Sequence, residues 1–205
     1  MNKLRQYIRA VLLEAAYRVE DLEGLKAGEY NDQVFFLVDP GGNDRFQTLR
    51  LGTEDAYEDD VDGEWIARID LVKRRDCGGA WMVGMVEAND GWGPLMYDIA
   101  MEWATQNGGG LVADRTQVSL ESRRVWEYYL NKRNDPTIAM HQLDNPRDPQ
   151  TKDKKDDCDM SAASWNDYAV DVTKYETDWK SSPLSKRWTK EPVTLNKISS
   201  MRLRL

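Results

Sequence analysis

Residues 81–129 read WMVGMVEANDGWGPLMYDIAMEWATQNGGGLVADRTQVSLESRRVWEYY, and their pattern is the strongest indication of the fold. Its apolar spacing predicts five elements in succession: a buried strand over 80–87, a glycine turn over 88–94, an amphipathic helix over 95–106, a short strand over 109–114 and a second helix over 119–130. A turn that leads from a strand end into a helix N-terminus directs backbone amides outward, where they suit a phosphate group.

Three more strands are predicted before this stretch, over 33–39, 46–53 and 64–72. Nearer the N-terminus, residues 2–17 carry apolar side chains on one helical stripe and basic side chains on the other. This pattern predicts an amphipathic helix. We therefore divide the first part of the chain into an N-terminal helix over 1–28 and a globular domain over 29–144.

After a further strand predicted over 137–143, the composition changes. His141, the single histidine of the chain, lies in this strand, so we expect it to be structural rather than catalytic. From Asn145 onward the sequence is polar, and no strong periodicity returns. We interpret 145–205 as a polar linker followed by a basic C-terminal tail, extended over the body of the protein or over a partner.

Composition excludes several classes of function. A net charge of -8 argues against a nucleic-acid-binding protein, which normally carries a basic surface. No apolar run is long enough to span a membrane. Cys77 and Cys158 lie far apart in the sequence and have no metal-ligand spacing, which suits a reducing compartment and predicts no metal site.

The order of elements, with the glycine turn between the buried strand and the first helix, resembles that of the GNAT acyltransferases. The resemblance covers roughly residues 30–143. It implies an α+β fold (an α/β sandwich), with a mixed, largely antiparallel sheet flanked by helices and an irregular C-terminal extension. Gly84, inside the buried strand, matches the bulge at which GNAT strands separate to admit pantetheine; close packing of an aromatic side chain would also explain it.

The resemblance implies acetyl-CoA as the cofactor and an amine as the substrate. The turn of this family holds the pyrophosphate with its backbone amides, and the strand edge pairs with pantetheine. The residues at the matching positions are Val83, Met85, Val86, Gly91, Trp92 and Gly93. The acidic surface would favour a cationic amine by electrostatic steering.

The catalytic roles implied by the family are a general base on the central strands and a tyrosine acid in the second helix. Glu87 stands where the base is expected. Trp126 occupies the position of the acid, and an indole cannot donate that proton. Tyr128 or Tyr129 could substitute as the acid, although Tyr129 lies on the apolar stripe of its helix, which favours a place in the core.

The turn departs from the family pattern at two positions. Ala88 replaces the leading Gln or Arg, and Asp90 brings a negative charge to the loop. A carboxylate there opposes a diphosphate unless it points outward. A strand-to-helix turn that binds no ligand is the competing interpretation of the same residues.

A narrower resemblance concerns the helices, the segment HQLD and the tail segment SPLSKRWTKEP, which look like those of a group of tailed-bacteriophage proteins of GNAT-like fold. This implies a protein of the host cytoplasm or the phage virion. The opening residues resemble a phage-head leader, with Glu14 at a site similar to those cut by prohead proteases. Two functions follow: an acetyl-CoA-dependent N-acyltransferase, or a non-catalytic virion component that contacts phage structural proteins through the N-terminal helix and the basic tail.

Overall fold

The structure is a computed structural model, which describes residues 18–20, 34–39, 41–53, 65–114, 118–144, 150–158 and 179–200. The helix expected over 2–17 and the cleavage site at Glu14 lie outside the described residues. No helix within the described ranges combines the length and the apolar character that a membrane span requires.

The described residues form seven strands and three α-helices. The strands are β1 Val34–Val38, β2 Phe46–Thr53, β3 Trp65–Lys73, β4 Trp81–Ala88, β5 Leu111–Val112, β6 Ile138–Gln142 and β7 Lys186–Lys190. The helices are α1 Gly93–Gln106, α2 Leu120–Asn131 and α3 Val193–Ser200. Each element predicted between residues 33 and 143 is present; the strand predicted over 109–114 is reduced to Leu111–Val112, and the other elements differ slightly at their ends.

The strands pair in the order β1-β2-β3-β4-β5-β7-β6. β1 and β2 pair antiparallel, as do β5 with β7 and β6 with β7, whereas β4 and β5 are parallel. A parallel pair requires a crossover connection, which α1 supplies between β4 and β5. The mixed sheet and the α+β class are therefore confirmed.

The chain divides into two compact units. Unit 1 comprises the described residues that fall within 1–70, 85–100 and 193–205. Its β1–β2 hairpin runs in register from Val34 opposite Thr53 to Val38 opposite Leu49. Buried apolar side chains from β1, β2, β3 and the first half of α1 form its core, including Phe36, Leu49, Leu51, Ile66, Met96 and Ile99.

Unit 2 comprises the described residues that fall within 71–84 and 101–192. An aromatic cluster lies in its core, where the Trp126 and Trp188 rings stack with their centroids 6.2 Å apart. Tyr129 lies against both indoles, at centroid distances of 6.5 and 6.1 Å. α2 contributes two of the three rings because Trp126 and Tyr129 are spaced by one helical turn.

The C-terminal segment corrects the expectation of an extended tail. β7 lies between β5 and β6 in the sheet, and α3 follows it, so the fold continues beyond residue 144. On β7, Lys186, Trp188 and Lys190 are the buried positions, and the half-buried residues alternate with them. Lys190 pairs with the fully buried Glu102 of α1, while Lys186 donates to the side chain of Gln142 and to the carbonyl of Lys180. A lysine with such partners can be buried. The basic composition of the segment therefore gave no indication of a buried strand.

The two cysteines also correct an expectation. Cys77 and Cys158 are joined by a disulfide although 81 positions separate them in the sequence. Both are buried, in an apolar cluster with Ala80, Val112 and Leu143. The distance between the two cysteines along the sequence suggested free thiols, but the fold brings them together in a covalent bond.

Beside the disulfide, two glycine-rich turns of unit 2 pack backbone against backbone. We name residues 77–79 and 108–110 together the glycine junction. The amide of Gly109 donates to the carbonyl of Gly79 at 2.9 Å, and the amide of Trp81 donates to the carbonyl of Gly110 at 2.8 Å. A Cβ atom at Gly109 would lie 2.0 Å from the carbonyl oxygen of Gly78, so this contact requires glycine.

Candidate functional site

The second half of β4 is exposed. β4 pairs with β5 only through Trp81 and Met82, and Val83 beyond them is still buried. From Gly84 onward the strand is mostly exposed, and the Met85 side chain is 43% accessible. Gly84 thus stands where β4 changes from buried to exposed, at the position for which the sequence suggested a bulge.

The turn after β4 holds its shape through its own backbone. The amide of Trp92 donates to the carbonyl of Asn89 at 3.0 Å, which closes a four-residue turn. Gly91, the third residue, has a φ of 87°. A type II turn requires a positive φ at this position, and glycine supplies it without steric cost. The amide of Asn89 donates to Ile66 of β3, which fixes the start of the turn against the sheet.

α1 begins directly at this turn. Its first hydrogen bond from outside the helix joins the Met96 amide to the Trp92 carbonyl at 3.1 Å, and Pro94 has no amide to donate. Among the described residues, the backbone amides of Gly91, Gly93 and Leu95 find no acceptor. Free amides at a helix N-terminus carry partial positive charge.

The space beside Gly93 is open. A Cβ atom built there meets no atom of the described residues within 4 Å, in contrast to the crowded Gly108, Gly109 and Gly110 of unit 2. Within that distance, none of the described residues blocks a group that approaches these amides.

The side chains around the turn are partly adverse to an anion. Glu87, Ala88 and Asp90 are exposed, so both carboxylates reach solvent and are not held against the amides by burial. Trp92 is buried, so its indole does not present a face for stacking on a ligand. Of the candidates Gly91, Trp92 and Gly93, the structure therefore offers backbone amides rather than an aromatic surface.

Unit 1 brings together Met85, Val86, Glu87 and the turn. Val83 and Tyr129 belong to unit 2. Tyr129 is only 4% exposed within the aromatic cluster, and the Arg133 guanidinium lies 5.6 Å from its ring centroid. Trp126 is buried beside it. These contacts explain Tyr129 as a core residue, which was the alternative that its place on the apolar stripe allowed.

The chain was compared with protein-family models, with curated proteins and with solved structures, and none of the three comparisons gave a match. Function is therefore argued from the geometry of the site.

Sequence reasoning found the turn but not the ionic and acidic groups of unit 2. The buried Glu102–Lys190 pair joins α1 to β7, and Asp144, Asp156 and Asp157 cluster with their carboxylate oxygens within 4.8 Å. Asp144 and Asp156 accept hydrogen bonds from Thr151, so they order their own loop. The sequence shows neither group as a local pattern. Glu102 and Lys190 are 88 positions apart, and Asp144 comes well before the adjacent Asp156 and Asp157.

Proposed function

We propose that the protein is a GNAT-like acyltransferase that binds acetyl-CoA at the turn after β4 and transfers the acetyl group to an amine. The backbone of the turn carries the proposal. It combines the positive φ of Gly91, amides at Gly91, Gly93 and Leu95 without an acceptor among the described residues, and open space beside Gly93. A diphosphate accepts hydrogen bonds from such an arrangement.

The order of the elements supports the GNAT-like fold. Three strands precede β4, the turn and α1 follow it, and β5, α2 and β6 come next. The parallel β4–β5 pairing is limited to two residues on each strand. The exposed part of β4 has backbone groups on the side that β5 does not cover, which suits pairing with the amides of a pantetheine arm.

The residues fit the cofactor in part. The amides of Gly91 and Gly93 would hold its pyrophosphate, and Met85 and Val86 would offer backbone groups to pantetheine. The carboxylate of Asp90 is exposed and can point away from the phosphates. The cofactor would supply the acetyl thioester, and Glu87, exposed at the end of β4, would accept a proton from the amine. Because Tyr129 is buried, a proton for the leaving thiolate would come from solvent.

Calorimetry with acetyl-CoA tests the binding. We expect a dissociation constant below about 1 mM. Gly93→Trp fills the open space and should abolish the heat of binding. The backbone should accept a side chain at this position, because a Cβ at Gly93 meets no atom of the described residues within 4 Å and the φ of Gly93 is not positive; circular dichroism of the variant checks the fold. The matched control is Gln106→Trp, at the exposed opposite end of α1, which should bind normally. No heat at about 10 mM ligand would remove the proposal.

Catalysis is tested separately from binding. Release of free thiol from acetyl-CoA should be stimulated by amines, and Glu87→Gln should lower kcat by about 10²–10⁴-fold while the dissociation constant stays unchanged. Equal rates for the variant and the wild type would remove Glu87 as the base and leave the binding site standing.

A second candidate is a non-catalytic phage protein that keeps the fold as a scaffold. The burial of Trp126 and Tyr129 favours it, because neither side chain reaches solvent as an acid. Mass spectrometry of purified virions tests this function. It predicts the protein in the particle, with a mature N-terminus at Ala15 if Glu14 is a cleavage site; absence from the particle excludes a virion component.

A further inference from the structure

We propose that the Cys77–Cys158 disulfide is a redox-sensitive latch. A thiol reductant opens it, and residues 150–158 then detach from the glycine junction while the sheet of unit 2 stays folded. We name residues 150–158 the latch segment. The inference does not depend on acetyl-CoA or on the turn after β4.

The latch segment buries little apart from its cysteine. Residues 150–155 are exposed, Asp156 and Asp157 are half-buried, and Cys158 alone is buried. A segment gains hydrophobic stabilisation in proportion to the apolar area that it removes from water. The attachment of the latch segment therefore depends mainly on Cys158.

The backbone of the latch segment is also pinned while the disulfide holds it in place. The amide of Cys77 donates to the carbonyl of Asp157 at 2.6 Å, and the amide of Asp144 donates to the carbonyl of Asp156 at 2.9 Å. The Lys155 carbonyl lies 2.8 Å from the place of a Cβ at Gly78, so the segment approaches the junction closely. Nearby Asp153 and Asp156 interact electrostatically with Arg187 of β7. These contacts are individually weak and partly exposed, so they hold the segment less firmly than a covalent bond.

The rest of unit 2 has its own sources of stability. β7 pairs with β5 and β6, and the Trp126–Trp188 stack and the Glu102–Lys190 ion pair lie elsewhere in the core. Elements with few buried contacts open at lower free energy than the core. Opening of the latch segment alone is thus the expected consequence of reduction.

The chemistry balances with two equivalents of a small thiol. One thiolate attacks one sulfur of the disulfide and breaks the S–S bond, which gives a mixed disulfide and one cysteine thiolate. A second thiol releases the other cysteine and leaves as an external disulfide. The protein gains two electrons and two protons, and the reductant is oxidised. Because both sulfurs are buried, attack requires transient opening of the segment.

Limited trypsin digestion of the full chain tests the latch. Lys152, Lys154 and Lys155 are exposed, but the adjoining Asp156 and Asp157 carbonyls accept hydrogen bonds from Asp144 and Cys77, which hold the segment while the disulfide is closed. Reduction should raise the rate of cleavage after these lysines by at least about tenfold. Cleavage after Arg123, within α2, should stay slow in both forms, because α2 packs on the aromatic core.

Two controls complete the test. Cys77→Ser/Cys158→Ser should be cut at the fast rate with or without reductant, whereas reduced and oxidised wild-type protein give the comparison without any mutation. Equal cleavage of the latch segment in both wild-type forms overturns the proposal. So does equally accelerated cleavage after Arg123, which would mean global unfolding. Two free thiols in air-exposed, denatured protein would show that the bond does not form.

Discussion

The turn after β4 and the glycine junction are both rich in glycine, yet they use this residue in opposite ways. At Gly93 a Cβ atom would enter open space, and neighbouring amides have no acceptor among the described residues. At Gly109 a Cβ atom would lie 2.0 Å from the carbonyl oxygen of Gly78, and the Gly109 amide is bonded to Gly79. At the turn after β4, backbone amides can bind a ligand, whereas in the glycine junction they bind other backbone groups of the protein.

Glycine content alone therefore does not indicate a ligand site. The Gly91-Trp92-Gly93 turn and the Gly108-Gly109-Gly110 run look alike in the sequence, because glycine in each permits close approach of a backbone. What separates them is whether the approaching group belongs to the protein. The backbone amides distinguish the two: those of Gly79, Gly109 and Gly110 have acceptors in unit 2, whereas those of Gly91 and Gly93 have none among the described residues.

The largest effect on stability is expected in the buried core of unit 2. Lys190→Met removes the ammonium partner of the fully buried Glu102, and loss of one member of a buried pair costs about 3–5 kcal/mol. Glu87→Gln, at an exposed carboxylate near the end of β4, should change the free energy of unfolding by less than about 0.5 kcal/mol. Urea denaturation measures both. Similar losses of stability in the two variants would contradict the contrast between the buried core of unit 2 and the exposed end of β4.

The glycines themselves provide the most direct comparison. Gly109→Ala should lower the free energy of unfolding by about 2–3 kcal/mol, because the backbone of Gly78 must move. Gly93→Ala should be neutral within about 0.5 kcal/mol or slightly stabilising, since alanine favours the helix start more than glycine does. If Gly93→Ala proves as costly as Gly109→Ala, the space beside Gly93 is not open in solution.

A third glycine refines the comparison. Gly91 has a φ of 87°, so Gly91→Ala strains the backbone at the open turn and should cost about 1–2 kcal/mol. Under the proposed function it should also weaken acetyl-CoA binding, because the amides of the turn lose their alignment. Thermal unfolding and calorimetry on one sample separate the two effects; a variant that binds normally would show that the amides need no alignment by Gly91.

The smallest effect concerns the edge of unit 2. Burial, followed by the charge of Arg187, lowers the pKa of His141 below its ordinary value of 6.5. The folded state therefore favours the neutral ring, so this contribution is present above pH 6.5 and is lost as the pH falls from there toward the folded-state pKa. His141→Gln should reduce the loss of stability between pH 7.5 and 5 slightly. Parallel stability profiles for both proteins would refute it.

The sequence predicted most of the fold because the strands and helices before residue 143 follow clear periodicities. Alternation in β3 and helical spacing in α1 each have one dominant interpretation. β7 was missed because its buried face carries Lys186 and Lys190, which composition assigns to solvent. Their partners, Gln142 and Glu102, lie 44 and 88 positions away, so no local pattern reveals them.

The candidate site was predictable as a turn and not as a surface. Gly91 and Gly93 stand out in the sequence, but the burial of Trp92 depends on packing that only the fold defines. Tyr129 shows the same limit, since its helical stripe allowed both a core and a catalytic role. The disulfide was unpredictable because the two cysteines become neighbours only when β4 and the latch segment are in place.

The position of β7 has a consequence for how the chain folds during synthesis. β6 leaves the ribosome before β7, yet β6 joins the sheet only through β7, which pairs Leu111 with Trp188 and Met140 with Trp188. β6 can therefore pair only after β7 has been synthesised, about 45 residues later, and such non-local pairing is slow. The β1–β2 hairpin, whose strands are close in sequence, has no such delay.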